Sequence, residues 1–229
     1  IDKFGFIDKT GKMVLEPKYD HVSDFSEGYA SFGNSDRMYG FINTKGEIVI
    51  PAVYTKLPFS FNSGLAKVVT KDYQFGFINK ENELVIPANY KYATNFYKNH
   101  AIVRESTMTP LLLIDQTGEI VTIFDKGYYL DFSKSEDGVF SSDKKSEDLV
   151  YLNPTLQQLM DNQKGMFKKG FAYGVLDLKG IVVLDFNYQE LKDYKNGMML
   201  AVWKTDRNIK QGLINDNGEF VVEIIESKF

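Results

Sequence analysis

The 229 residues carry 43% hydrophobic and 25% charged side chains, an ordinary balance for a folded soluble protein and one that argues against wholesale disorder. A net charge of −4 without any Lys/Arg stripe argues against nucleic-acid binding, and the lack of cysteine excludes disulfides, thiolate metal sites and a thiol nucleophile. No apolar run reaches the roughly 18 residues of a membrane span, and 18 Phe and 14 Tyr against one Trp favour sheets, where rings pack on a pleated surface.

The chain opens at Ile1 and not at Met, which is expected of a processed or trimmed product. Its first pentapeptide, Phe4-Gly5-Phe6-Ile7-Asp8, returns as Tyr39-Gly40-Phe41-Ile42-Asn43 and as Phe75-Gly76-Phe77-Ile78-Asn79. Weaker echoes stand at Tyr173-Gly174-Val175-Leu176-Asp177 and Gln211-Gly212-Leu213-Ile214-Asn215. A fixed period of about 36 residues marks a repeat protein. Six to seven units are expected, at 1–36, 37–72, 73–108, 109–147, a degenerate 148–171, 172–209 and an incomplete 210–229.

Each unit opens with a short apolar strand. An Asp or Asn then precedes a Gly or Asn by three residues, at Asp8/Gly11, Asn43/Gly46, Asn79/Asn82, Asp115/Gly118, Asp177/Gly180 and Asn215/Gly218. That spacing predicts a type I turn ending in a left-handed residue, closing a tight hairpin with a bulge. The β-branched strand after the turn carries Pro17, Pro51 or Pro87 at one register position. Proline donates no ladder bond, so these strands should end there or lie at an edge. A third strand is expected after Gly28, Gly64 and Asn99. Gly5, Gly40 and Gly76 sit between two aromatics, and the expectation is that a ring of an adjacent unit lies over each. In the fourth unit the third strand is sought at Phe132-Ser133 and Gly138-Val139-Phe140, with a worn hairpin at 148–156 after it. The pairs Lys144-Lys145 and Lys168-Lys169 read as solvated loop residues.

The pattern aromatic-Gly-Phe-Ile-Asp/Asn, turn, Val-Ile/Leu-x-Pro-x-Tyr, followed by Phe-Ser-Glu-Gly-x-Ala at 25–30, resembles the bacterial WG repeat, also called the KWG repeat. The match covers roughly two thirds of the chain. It is close in the first three units and poor at 122–172. Phe4, Tyr39, Phe75 and Tyr173 stand where that family usually has Trp, and Gln211 departs further. The resemblance implies a bacterial β-repeat protein that mediates interactions and carries no catalytic motif.

His21 and His100 have no second histidine at ligand spacing, so they read as surface or strand-end residues. Carboxylates are many, but Asp8, Asp115 and Asp177 are accounted for by turn capping, and no remaining pair stands out as one a glycosidase would use. Asn215-Asp216-Asn217-Gly218-Glu219 has the look of a calcium loop, but it lacks the downstream bidentate Glu and aligns with the hairpin turns. Binding in repeat arrays falls where units depart from consensus. The candidate partner-binding residues are therefore Tyr128, Tyr129 and Asp131 in the divergent stretch, with Trp203, Tyr92 and Tyr97.

The expected fold is all-β, tandem three-stranded antiparallel meanders in an open, curved, solenoid-like array, with a small β-propeller as the alternative. The expected function is a non-enzymatic module that binds a protein partner. A carbohydrate or cell-envelope binder is the second reading and a hydrolase the third. No cofactor, metal, nucleic acid or membrane span is expected. A secreted or envelope location is favoured over a cytoplasmic one.

Overall fold

A hydrogen-bonded turn recurs through the chain and sets its geometry. In a computed structural model the described residues are 3–55, 60–124, 128–129, 159–161, 164–169, 172–195, 198–204, 208–215 and 217–228. At the first turn the Asp8 N–H donates to the Lys12 carbonyl at 2.9 Å and Gly11 N–H to the Asp8 carbonyl at 3.0 Å. One carboxylate oxygen of Asp8 accepts from the Thr10 N–H, the Thr10 hydroxyl and the Lys12 N–H at 2.8, 2.6 and 3.0 Å. Gly11 has φ 85°, and Asn82 takes the same left-handed place at φ 64°. The predicted turn is present at all six sites.

The turns close in two chemically distinct ways. At Asp8 and Asp115 a Thr hydroxyl two residues on donates to the carboxylate, while Asp177, followed by Lys179, accepts from N–H groups. Where the first residue is Asn, its amide donates to a Glu four residues on, at Asn43–Glu47 (2.6 Å), Asn79–Glu83 (2.8 Å) and Asn215–Glu219 (2.7 Å). An aspartate could not donate there, so the two residue types carry different partners.

Two units divide the chain. One holds 1–107, 114–119 and 143–151, and the other 108–113, 120–142 and 152–229. In the first unit β1 (Phe4–Ile7) pairs with β2 (Met13–Tyr19). A four-stranded antiparallel sheet follows, in the order β3 (His21–Val22), β4 (Tyr29–Gly33), β5 (Tyr39–Asn43) and β6 (Ile48–Tyr54). A third sheet holds β7 (Ala66–Val69), β8 (Phe75–Ile78) and β9 (Leu84–Tyr90), and β10 (Tyr92–Ala93) pairs with β11 (His100–Arg104). β12 (Leu111–Asp115), divided between the units, and β13 (Ile120–Phe124), in the second, form the next hairpin arms. In the second unit β14 (Tyr128–Tyr129), β15 (Lys164–Lys169), β16 (Ala172–Asp177) and β17 (Val182–Tyr188) make one antiparallel sheet. β18 (Glu190–Lys195), β19 (Met198–Lys204), β20 (Asn208–Asn215) and β21 (Phe220–Lys228) make another. The protein is all-β, built of tandem small antiparallel sheets.

The sheets do not coincide with the sequence repeats. In the β3–β6 and β18–β21 sheets the first two strands come from one repeat and the hairpin from the next, in place of a three-stranded meander within one repeat. Tyr29 pairs with Asn43 and Phe32 with Gly40. Chain proximity explains this. β4 reaches β5 through a tight turn in which Arg37 N–H donates to the Asn34 carbonyl at 3.0 Å, and short closures cost least entropy. Two residues at positive φ, Glu27 (51°) and Gly28 (86°), turn β4 back just before it starts. Ser63-Gly64 and Lys98-Asn99 repeat that pair, so the residues expected merely to precede a strand form a turn of their own.

The prolines lie in edge strands, as expected. β6 and β9 end their sheets, and Pro51 and Pro87 fall in their bulges. Two steps along β5, from Tyr39 to Phe41, are matched by four along β6, from Tyr54 to Ile50. The bulge also corrects the reading of the glycines. A Cβ at Gly40 would collide with the Ile50 carbonyl oxygen and stand 2.7 Å from the Pro51 backbone. At Gly174 the Leu184 oxygen lies 2.7 Å away. Each glycine is thus required by its own hairpin's bulged strand and not by a ring of an adjacent unit.

Ring pairs tie each hairpin to the segment after it. Phe6 meets Phe25 at 4.7 Å, Phe41 meets Phe61 at 4.8 Å, and Phe77 meets Phe96 at 4.8 Å. Phe41, Phe61, Phe77 and Phe96 are fully buried, each worth about 2–3 kcal/mol of apolar burial. Since Phe25 leads into β4 while Phe6 stays on β1, the pair clamps one sheet onto the next.

Candidate functional site

Trp203 stands on β19, where its backbone pairs with Lys210 on β20. It is half-buried against a core of Tyr173, Val175, Leu184, Leu191, Met199, Ala201 and Ile214. Its ring lies 4.8 Å from that of Phe220 and 6.5 Å, edge-on, from that of Tyr188. Phe220 is 45% exposed, and its ring edge also comes within 2.8 Å of a Cβ built on Gly212. A side chain at residue 212 would meet that ring, so the glycine leaves Phe220 room to approach β20 and reach Trp203. Val221 and Val222, next along β21, are exposed. Burial raises the Tyr188 hydroxyl above the usual tyrosine range, with a smaller push from Asp185.

The other candidates lie elsewhere along the chain. Tyr92 and Tyr97 belong to the first unit, and Trp203, Tyr128 and Tyr129 to the second. The backbones of Tyr128 and Tyr129 pair with Lys169 and Lys168, and Asp131 lies outside the described residues. Tyr92 is half-buried opposite Arg104 in the ladder. Tyr97 closes the turn to His100 by reciprocal backbone bonds of 2.8 and 3.1 Å, with the Lys98 ammonium 5.8 Å from its ring centre.

Lys168-Lys169 is not a loop. It forms the end of β15 and pairs with Tyr173 and Ala172. β15 also takes the place beside β16 that β4 takes beside β5, a strand sought at 132–140 from the sequence. Residues 132–140, 148–156 and the pair Lys144-Lys145 lie outside the described residues. His21 is exposed at the start of β3, and the His100 Nδ1 lies 2.8 Å from the Lys98 carbonyl. At the calcium-like segment Asn215 Oδ1 accepts from the Asn217 and Glu219 N–H groups at 3.0 and 2.9 Å, so a turn is formed. Among the described residues no group of three or more His, Asp or Glu side chains is placed to hold a metal ion. No helix among them is long and apolar enough to cross a membrane.

Phe220 and Tyr188 escaped the sequence reading. A signal was present for Phe220. It occupies the column held by Met13, Ile48, Leu84, Ile120 and Val182, two residues past the turn glycine or asparagine, and is its only aromatic.

A family model described as "WG containing repeat" matches residues 4–34, 39–73, 75–106 and 173–202, more than half of the chain. No curated protein matches it. Among solved structures the chain is similar to the WD40 beta propeller domain of Doa1, at 16% identity and a TM-score of 0.35 over 89% of this chain and 67% of that one. It is also similar to a protein of unknown function from Bacteroides caccae, at 13% identity and a TM-score of 0.29 over 98% and 90% of the two chains. Virginiamycin B lyase from Staphylococcus aureus matches at 15% identity and a TM-score of 0.31 over 97% and 77%. Likenesses at these TM-scores assign nothing. The repeat matches, extending over the hairpins and the strands that join them, establish that this chain belongs to the WG-containing repeat family.

Proposed function

We propose that this chain is a non-catalytic repeat module that binds a protein partner, and that its contact surface is the aromatic patch around Trp203 in the second unit. The observation behind this reading is the packing of Trp203 between Tyr188 and an exposed Phe220, which Val221, also exposed, follows along β21. An aromatic group anchored on a core loses little freedom on binding, which is how interface hot spots gain their energy. The non-catalytic reading is supported by the turn carboxylates. Asp8, Asp115 and Asp177 are engaged with backbone donors and so are committed to hairpin closure.

A photo-crosslinking side chain at position 221 in the full chain, exposed to extract of the source cells, tests the proposal. We expect a discrete protein adduct that is lost in a Phe220→Ser background whose melting temperature is unchanged. Retention on envelope polysaccharide with no protein adduct would replace this reading by the carbohydrate one.

A further inference from the structure

The first unit carries an apolar stripe that its fold leaves uncovered. Two residues past each turn, an exposed apolar pair stands on the edge strand: Met13 and Val14 on β2, Ile48 and Val49 on β6, Leu84 and Val85 on β9. Ile48 is 61% exposed and Leu84 53%, although both belong to the same strands as the fully buried Ile50 and Ile86. Neighbouring edges are adjacent. The turn at Gly46 comes against the Leu15 side chain, and the Tyr54 hydroxyl donates to Asn82 Oδ1 at 2.6 Å.

Pro17, Pro51 and Pro87 interrupt the free N–H row of these three strands, so a further strand cannot add in register along them. Whatever covers the stripe must dock by side chains. The charges flanking the stripe are graded along it. Exposed Lys9, Lys12 and Lys18 outweigh Asp8 and Glu16 beside the first pair. Lys45 balances Glu47 beside the second. At the third, Glu81 and Glu83 prevail, because Lys80 is held at 3.3 Å by Glu27 and lies over the Tyr29 ring. A stripe positive at one end, neutral in the middle and negative at the other is complementary to itself after a two-fold rotation.

We propose that the occupant is a second copy of this chain, related by a two-fold axis near Ile48 and Val49, with Lys12 of each copy facing Glu83 of the other. Three edges about 10 Å apart and seven residues long present on the order of 500 Å². That is less than the roughly 800 Å² per partner of a standard stable interface, so the association should be weak and concentration-dependent.

Sedimentation velocity of the full chain from about 10 μM to about 1 mM tests this. We expect a monomer–dimer equilibrium, abolished by Val49→Lys. Lys12→Glu or Glu83→Lys alone should weaken it about three- to ten-fold, and the double swap should restore it. Glu83→Lys removes the acceptor of the Asn79 amide, so thermal melts check that each variant stays folded. A monomer throughout the range, a larger open-ended assembly, or a double swap no better than either single change would overturn the proposal. Phe220→Ser should leave self-association unchanged, which separates this stripe from the patch around Trp203.

Discussion

The Glu27 carboxylate accepts a hydrogen bond from the Gly64 N–H at 3.0 Å, one repeat further along the chain. The same link recurs one repeat on, where the Ser63 hydroxyl accepts from the Asn99 N–H at 3.1 Å. In each case the first residue of a two-residue turn holds the second residue of the next. Successive sheets are therefore joined at their turns as well as through the phenylalanine pairs. Glu27→Ala should lower stability by about 1 kcal/mol, while Glu27→Gln retains most of it by keeping an acceptor. Urea unfolding of the three proteins at one pH measures both.

Gly40 faces the carbonyl of Ile50 across a bulge with no room for a Cβ. Gly40→Ala should destabilise by about 3 kcal/mol or prevent folding, since backbone must move to admit a methyl group. Gly28→Ala meets nothing within 4 Å and suffers only its positive φ, so about 1–2 kcal/mol is expected there. Comparing their denaturation midpoints distinguishes steric from conformational cost.

Lys67 is buried on β7, at the position held by Ser31 in the preceding sheet and by Ile102 in the next. Its ammonium donates to the Ala93 carbonyl at 2.8 Å and lies 5.3 Å from the Phe75 ring centre. Burial pushes its pKa down from 10.5 to about 7. The unfolded chain thus binds more protons than the folded one between those values, and stability should rise as pH increases from about 7 to 10.5. Below pH 7 both states are charged and this contribution is constant. Lys67→Met should be more stable at neutral pH, with the rise above pH 7 flattened, as followed by denaturation across that range.

Asn43 donates to Glu47, and the turn depends on that polarity. Asn43→Asp keeps the two bonds that the side-chain oxygen accepts, from the Lys45 and Glu47 N–H groups, but sets two carboxylates against each other. We expect a loss of about 0.5–1 kcal/mol at neutral pH, relieved as pH falls through the carboxylate range. Asn43→Asp with Lys45→Thr recreates the Asp8/Thr10 arrangement and should recover part of the loss. Thermal melts at pH 4 and pH 7 measure both effects.

The hairpins were legible in the sequence because their causes are local. Asp8, Thr10, Gly11 and Lys12 contain every donor and acceptor of the first turn within five residues, and the same backbone pattern recurs in five more copies. Lys168 and Lys169 were misread for the opposite reason. A pair of lysines looks solvated, whereas the ladder to Ala172 and Tyr173 is made by their backbones, on which side-chain charge has little bearing. Trp203 was visible as a departure from the repeat. Its neighbours Phe220 and Tyr188 were not, because they belong to separate strands of two sheets.

Repetition follows from the sequence itself as a fixed period, and turn chemistry, the edge prolines and the all-β class follow because each depends on spacings shorter than a single hairpin. The pairing of β4 with the next repeat's β5 was decided only by tertiary structure, as was the bulge that forbids a side chain at Gly40. So was the sorting of Ile50 to the interior and Ile48 to the surface. Both isoleucines are equally apolar and lie two residues apart on one strand. What separates them is whether another sheet lies over that position, and this is set by contacts between residues a full repeat apart.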